Sequence, residues 1–215
     1  MIRLLRASLT LNALLGVALA RRLRRRMLLR AGRIQAPERD FVARASEAFG
    51  PSEPGALALV GDSQVALAPW LDVLTNYANR GLSDAKIADV AAWVDDVLAA
   101  DPAHLVLMIG SNDVYFGVPR DASVAAAREL FDRIAERSHC PVTVVSVPPI
   151  EVDKRGASAL NEALEQLVVE RGFQWLDIVP TLSAMDWTQD GLHLNAAAYR
   201  AVAPAIRAAL ADAEN

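Results

Sequence analysis

From residue 56 onward, the chain alternates between short apolar runs and longer segments with helical periodicity. The apolar runs show little polar alternation, which is typical of strands buried on both faces of a sheet. Strands that alternate with helices predict βαβ units and therefore a parallel sheet between two helix layers. With right-handed crossovers, we expect an α/β fold, a three-layer α/β/α sandwich whose five-stranded parallel sheet has the flavodoxin-like order 2-1-3-4-5.

The individual elements follow from the same pattern. The five predicted strands are Ala56–Val60, Val73–Tyr77, Leu105–Ile109, Val142–Val147 and Phe173–Ile178. The predicted helices are Ser83–Ala100, Ala122–Arg137, Gly156–Arg171 and Asn195–Leu210. Proline and glycine mark residues 34–55 as a linker around one short helix near Arg39–Phe49. We therefore expect one folded domain over residues 56–213.

Charge is divided unequally along the chain. The first 33 residues contain nine arginines and no acidic residue, whereas the other 182 residues hold 13 basic and 26 acidic side chains, a net charge of −13. An acidic body repels phosphate backbones, so we expect no nucleic-acid partner. The single cysteine, Cys140, excludes an intrachain disulfide and a multi-cysteine zinc site, and three histidines leave little for a multi-histidine centre. We expect no metal.

The basic end also contains an apolar stretch, residues 7–20, followed directly by an arginine cluster at 21–26. A bilayer span takes about 20 apolar residues. The stretch is compatible with a secretory signal that is cleaved after Ala18-Leu19-Ala20, with a membrane anchor, with a helix on the membrane surface, and with a helix packed on its own domain. Because arginines are more numerous after the stretch, we expect membrane association through residues 1–33 with a cytoplasmic body. Export is the alternative.

Glycines and polar side chains follow the predicted strands at their carboxyl ends, which is where ligands bind in such sheets. The first strand leads into Gly61-Asp62-Ser63-Gln64 and the second into Asn79-Arg80-Gly81. The third leads into Gly110-Ser111-Asn112-Asp113, and Asp190-Gly191-Leu192-His193 precedes the last helix. The four segments are therefore expected to converge on one rim of the sheet.

These residue types fit nucleophilic catalysis by a serine. An imidazole activates a hydroxyl by taking its proton, and a carboxylate holds the imidazole in one tautomer. Asp190 lies three residues before His193, so one turn of chain can bring both side chains to Ser63. The oxyanion formed by attack on a carbonyl needs donors. The candidates are the Ser63 N–H, the Gly81 N–H and the Asn112 side-chain amide.

In this order, the four segments resemble the sequence blocks of the SGNH hydrolases, also called the GDSL esterase/lipase family, over roughly residues 56–210. The resemblance is greatest to the platelet-activating-factor acetylhydrolase-like branch. It implies the SGNH hydrolase fold, a catalytic triad of Ser63, Asp190 and His193, and an oxyanion hole built by Ser63, Gly81 and Asn112. It also implies that no cofactor is needed.

Two positions depart from the family pattern. Gln64 replaces the apolar or small residue that usually follows the serine, and Asp84 stands where a glycine often occurs. Both are expected near the substrate, so they bear on substrate preference. Six residues are candidates for lining an acyl or leaving-group pocket or, equally, for core packing: Trp70, Tyr115, Phe116, Pro148, Pro149 and Trp187. By contrast, His104 and Cys140 lie at strand starts, and we expect them to be structural.

The resulting functional hypothesis is a serine esterase that hydrolyses carboxylic esters of short or medium acyl groups through an acyl-enzyme, as an O-acetylesterase would. The small-molecule ester is the expected partner. A lysophospholipase or thioesterase is the alternative within the same chemistry, suggested by the membrane-seeking end. A non-catalytic small-molecule binding module on the same fold is the alternative from another class, although the Gly61–Ser63 loop lacks a phosphate-binding glycine pattern.

Overall fold

The computed structural model describes residues 40–50, 54–72 and 74–212 of the chain. The predicted membrane-associating segment, residues 1–33, lies outside the described residues. Within the described part, no helix is both long enough and apolar enough to cross a membrane.

Five strands form one sheet in which every neighbouring pair is parallel. The strands are β1 (Leu57–Gly61), β2 (Tyr77–Gly81), β3 (His104–Met108), β4 (Val142–Val145) and β5 (Gln174–Leu176). Their order across the sheet is β2-β1-β3-β4-β5. The predicted α/β class, strand count, parallel pairing and 2-1-3-4-5 order are therefore confirmed.

Helices connect the strands and cover both faces of the sheet. They are α1 (Phe41–Ala48), α2 (Ser63–Ala66), α3 (Ile87–Val90), α4 (Val94–Ala99), α5 (Ser111–Phe116), α6 (Arg120–Arg137), α7 (Lys154–Glu170), α8 (Val179–Ser183) and α9 (Ala196–Asp212), with a 3₁₀ turn at Trp70–Asp72. Three of the four predicted helices correspond to α6, α7 and α9, with bounds that differ by at most two residues.

Alternating residues of the central strands enter two separate apolar clusters, as expected for strands covered on both sides. In β1, Val60 packs into the cluster formed with α3, α4, α6 and α7, whereas Leu59 packs into the cluster formed with α2, α8 and α9. In β3, Leu107 packs into the first of these clusters and Val106 into the second. All four of these side chains are at most 1% exposed, so the sheet is held between two cores.

Helix α1, predicted within the linker, packs onto this domain. Its Phe41 ring lies 5.9 Å from the Trp93 ring, and both side chains are buried. The Arg44 guanidinium donates to the Ser83 carbonyl at 2.9 Å. The folded unit of the described chain therefore begins upstream of residue 56.

The second strand is the clearest difference from the sequence prediction. The short, mixed segment Val73–Tyr77 is predicted to form it, but β2 begins at Tyr77 and continues to Gly81. β2 is an edge strand whose first three residues are only half-buried. A criterion based on continuous apolar residues does not find β2, because three of its five residues are Asn79, Arg80 and Gly81.

The predicted helix Ser83–Ala100 is also wrong as a single element. It is replaced by a loop up to Lys86 and two short helices, α3 and α4, with a turn between them. The backbone leaves the helical region at Trp93, where φ is −135°. The Trp93 indole N–H donates to the Arg80 carbonyl at 3.1 Å, so this break ties the helical layer to β2.

Gly81 predicts a measurable packing effect. A β-carbon at this position would overlap the backbone nitrogen of Ala66 in α2, which cannot move as a flexible side chain would. We expect Gly81→Ala to lower the free energy of unfolding by about 3 kcal/mol, measured by urea denaturation. Gly50→Ala is the matched control because no atom lies within 4 Å of a β-carbon there. Equal unfolding midpoints for the two variants would contradict the assignment.

Candidate active site

The nucleophile candidate lies at the point where β1 ends and α2 begins. Ser63 is the first residue of α2, and Asp62 caps this helix by accepting the Gln64 N–H at its Oδ1, at 2.8 Å. The first N–H groups of a helix have no acceptor within the helix. The Ser63 N–H is therefore directed away from the helix, at the carboxyl edge of the sheet.

The three residues predicted to form a triad meet at this edge. His193 Nε2 lies 2.9 Å from Ser63 Oγ, and His193 Nδ1 lies 2.7 Å from Asp190 Oδ2. The serine and the histidine are 130 residues apart in sequence. The order hydroxyl, imidazole, carboxylate is the one needed to remove a proton from serine and to fix the histidine tautomer.

A short closed loop carries Asp190 and His193. Its ends are joined by an antiparallel bridge between Thr188 and Leu194. Inside the loop, Asp190 Oδ1 accepts the backbone N–H groups of Leu192 at 2.9 Å and of His193 at 2.8 Å. The same carboxylate therefore shapes the loop through one oxygen and orients the imidazole through the other.

These contacts also determine the charge state of Asp190. Partial burial raises the pKa of this carboxyl, but the hydrogen bonds from the His193 ring, the His193 N–H and the Leu192 N–H outweigh it and lower the pKa to about 2. Asp190 is therefore ionised throughout the physiological range. It can stabilise an imidazolium that forms on His193.

Asn112, the side-chain candidate for the oxyanion hole, lies in the first turn of α5, directly beyond β3. Its side chain is buried, and its Nδ2 donates to the Ala85 carbonyl at 2.9 Å. A carboxamide nitrogen carries two hydrogens, so this bond orients the group and leaves the second hydrogen for a ligand. Asn112 and the Ser63 N–H are thus compatible with the predicted oxyanion hole.

The prediction for Gly81 is contradicted. Its N–H already donates to Asn79 Oδ1 at 3.0 Å, while Asn79 Nδ2 donates to the Val65 carbonyl at 3.1 Å. The Gly81 N–H is satisfied by a side chain of its own strand and is not available to an oxyanion. The glycine is needed instead for the close approach of α2.

Asp84, the second departure from the family pattern, has a left-handed φ of 71°, a conformation that glycine adopts most easily.

Two further carboxyls are buried beneath the edge. Burial raises the pKa of Asp62 to about 7, and the Gln64 N–H and the Ser111 hydroxyl oppose the rise only in part. Burial also raises the pKa of Asp113, which accepts hydrogen bonds from the Ile87 N–H and the Ser123 hydroxyl. Asp62 Oδ2 has no hydrogen-bond partner among the described residues. The site therefore lies above two buried carboxyls whose pKa values are raised by burial.

The remaining sequence candidates include core residues, two aromatic residues on α5 and one histidine at the far end of the sheet. Trp70 and Trp187 are 2% and 6% exposed and belong to the apolar cluster on the α9 side of the sheet, so they are core residues. Tyr115 and Phe116 form a half-buried edge-to-face pair after Asn112. His104 lies at the amino end of β3, away from the site, and bonds to Thr143. Among the described residues, no group of three His, Cys, Asp or Glu side chains could hold a metal ion.

A family model for the GDSL-like lipase/acylhydrolase family matches residues 52–201. The chain belongs to this family. The match covers β1 to β5 and all four sequence segments that carry the resemblance. The family is one of SGNH hydrolases, and the described fold agrees with it. No curated protein sequence matches the chain.

Solved structures of GDSL/SGNH proteins share the fold. Axe2, an acetylxylan esterase from Geobacillus stearothermophilus, is 17% identical with a TM-score of 0.61, covering 74% of this chain and 95% of its own. A member of the lipolytic protein G-D-S-L family from Veillonella parvula is 17% identical with a TM-score of 0.62, covering 71% and 96%. A chain from Streptococcus pneumonia, described provisionally as a platelet activating factor, is 18% identical with a TM-score of 0.63, covering 96% and 98%.

The sequence analysis did not identify the supporting roles of Thr188 and Asn79, whose side chains bond to the backbone around the active site. The Thr188 hydroxyl donates to Asp190 Oδ1 at 3.2 Å and accepts the Gly191 N–H at 3.0 Å. A threonine two residues before an Asp-Gly pair is a turn signal, and it could have indicated that the Thr188 hydroxyl bonds within this loop. The bond from Asn79 to the Val65 carbonyl carried no local signal, because Val65 lies in α2, a separate element.

The buried Asp62 predicts an unusual dependence of stability on pH. Its pKa is about 7 in the folded chain against 3.8 for an ordinary aspartate, so the folded chain binds more protons between these values. Stability from this group therefore falls as the pH rises from about 4 to about 7. Asp62→Asn keeps the helix cap and removes the charge. We expect the stability of the variant relative to wild type to increase by about 2 to 4 kcal/mol between pH 4.5 and pH 8.

Urea unfolding at both pH values measures this double difference. Asp40→Asn is the matched control, because Asp40 caps α1 in the same way, by accepting the Ala43 N–H, but is exposed. The control should show the same effect at both pH values. A pH-independent effect of Asp62→Asn would contradict the buried charge.

Proposed function

We propose that this GDSL-family hydrolase is a serine esterase that cleaves carboxylic esters through an acyl-enzyme, with Ser63 as nucleophile, His193 as general base and acid, and Asp190 as the residue that orients His193. The observation that carries the proposal is the contact of His193 Nε2 with Ser63 Oγ at 2.9 Å, since a serine hydroxyl needs such a base to become nucleophilic.

In the first half of the reaction, His193 Nε2 accepts the Ser63 proton as Ser63 Oγ bonds to the ester carbonyl carbon. The carbonyl oxygen becomes an oxyanion, which the Ser63 N–H and the Asn112 amide stabilise by hydrogen bonds. The imidazolium is held by the ionised Asp190. His193 then donates its proton to the alcohol oxygen, the ester C–O bond breaks, and the alcohol leaves.

In the second half, water replaces the alcohol. His193 Nε2 takes a proton from the water, and the resulting hydroxide oxygen bonds to the acyl carbon, which restores an oxyanion in the same donor site. Collapse of this intermediate breaks the bond to Ser63 Oγ, and His193 returns the proton to that oxygen. The products are a carboxylic acid and the free serine. No cofactor enters either half.

We infer a short or medium acyl group. Axe2, which shares the fold, is an acetylxylan esterase, and this supports acetyl esters as the first class to assay. Lysophospholipase or thioesterase activity is the second candidate, favoured by the arginine-rich apolar residues 1–33. Membrane association through that segment, with the body cytoplasmic, remains part of the proposal.

Removing either partner of the proton transfer should abolish turnover. We expect Ser63→Ala and His193→Ala each to lower kcat on p-nitrophenyl acetate by at least about 10⁴-fold, and the double variant to be no worse than either single one, because the two residues act as a unit. Wild type should also be labelled at Ser63 by a fluorophosphonate probe. Wild-type activity in Ser63→Ala would contradict the role of Ser63 as nucleophile. Folded wild type that is neither labelled nor active would contradict the esterase and favour the binding module. A series from acetate to octanoate esters measures the preferred acyl length.

The oxyanion role of Asn112 gives an independent prediction. Loss of one such donor costs roughly 3 kcal/mol, so Asn112→Ala should lower kcat about 100- to 1000-fold with little change in KM. Asn161→Ala is the matched control, because Asn161 also holds backbone groups, the N–H and carbonyl of Val147, but lies on α7. Steady-state kinetics of the two variants measure kcat and KM. An equal loss of kcat in both variants would mean that destabilisation, and not oxyanion binding, explains it.

A further inference from the structure

The side chain of Gln64 bonds to the backbone on both sides of His193. Its Nε2 donates to the Leu192 carbonyl at 2.7 Å, and its Oε1 accepts the Leu194 N–H at 3.3 Å. The residue is 0% exposed. A single carboxamide therefore brackets the histidine, as the backbone of a neighbouring strand would.

The backbone of Gln64 is itself held by hydrogen bonds. The Gln64 N–H donates to Asp62 Oδ1 at 2.8 Å, and the Gln64 carbonyl accepts the Tyr199 hydroxyl at 2.7 Å. Tyr199 lies in α9, one turn after Asn195, whose Oδ1 accepts the Ala198 N–H near the start of that helix. Gln64 thus joins α2, the histidine loop and α9.

We propose that Gln64 is a positioning residue for catalysis, whose carboxamide holds the Leu192–Leu194 backbone against α2 and thereby sets the distance from His193 Nε2 to Ser63 Oγ. The inference rests on the proposed function, because it assigns a purpose to the contact between the two catalytic residues. Ser63 and Gln64 are consecutive in α2, so any change in the carboxamide bonds alters the placement of the histidine relative to the serine.

The other contacts that hold the loop backbone do not connect it to α2. The Thr188–Leu194 bridge and the Asp190 bonds shape the loop from within. The bond from the Glu151 N–H to the Gly191 carbonyl, at 2.9 Å, ties the loop to the segment after β4. The Gln64 carboxamide ties it to the helix that carries the nucleophile.

The chemistry explains why glutamine is needed at this position. The loop presents a carbonyl and an N–H two residues apart, so its partner must donate and accept from one planar group. An apolar side chain does neither, and a carboxylate cannot donate. Asparagine has the right groups but is one methylene shorter. The departure from the apolar or small residue of the family pattern therefore has a specific purpose in this chain.

Gln64→Met tests the proposal, since methionine has a similar length and makes neither bond. We expect kcat on p-nitrophenyl acetate to fall about 100-fold, the order of loss that a misplacement of about 1 Å causes, with KM changed by less than about twofold. We expect the hydrogen bond from the His193 Nδ1 proton to Asp190 to give a far-downfield proton NMR resonance in wild type. In Gln64→Met, this resonance should broaden or disappear, because the loop is no longer held.

Thr143→Val is the matched control. Thr143 is equally buried and makes two side-chain hydrogen bonds, to His104 and Gln174, both at 2.8 Å, at the opposite end of the sheet. We expect this control to lower the unfolding midpoint in urea as Gln64→Met does, but to keep wild-type kcat and the downfield resonance. The full chain is used for all variants.

Wild-type kcat and an unchanged resonance in Gln64→Met would overturn the proposal, as would an equal loss of kcat in Thr143→Val. Failure of the esterase proposal is distinguishable, because wild type itself would then neither turn over the ester nor react with a fluorophosphonate. In that case the resonance still decides whether Gln64 holds the histidine: its loss only in Gln64→Met supports the positioning role, and its persistence contradicts it.

Discussion

The parallel pairing of β1 with both of its neighbours is the constraint on which the site depends. Gly61, the last residue of β1, pairs with Gly81 of β2 on one side and with Met108 of β3 on the other. Three chain segments therefore leave the sheet at the same level. Ser63 follows two residues after the first of these positions and Asn112 four residues after the third, so strand pairing brings a nucleophile and a donor to the same edge of the sheet.

The same edge gives three carboxyls different properties. Asp190 is held ionised by hydrogen bonds from the loop that it shapes, whereas burial raises the pKa of Asp62 to about 7 and also raises that of Asp113. Such separation of otherwise identical groups keeps Asp190 charged for the histidine, whereas Asp62, the cap beneath the serine, exchanges its proton near neutral pH. The sum of charges over the chain predicts none of this, because each pKa depends on local burial and donors.

Much of the fold was predictable because β1, β3 and β4 are buried on both faces and so read as continuous apolar runs. β2 was not, since its sequence includes Asn79 and Arg80, whose polar groups bond to the Val65 carbonyl and to the Trp93 indole N–H of other elements. The triad candidates were predictable from residue type and block order. The state of the Gly81 N–H was not, because its acceptor is a side chain two residues earlier, and block order carries no information about which donors are already satisfied.

The active site is divided between the sheet edge, which carries Ser63, and a separate loop, which carries His193 130 residues later in the sequence. Pairing of strands positions Ser63 and Asn112, but no strand pairing reaches His193. The chain replaces the missing pairing with side chains: Asp190 closes the loop from inside, and Gln64 bonds to its backbone from α2 as a neighbouring strand would. The position following the serine is therefore where relatives with the same catalytic residues can differ in how accurately they hold their histidine. A resemblance restricted to the catalytic residues does not reveal this.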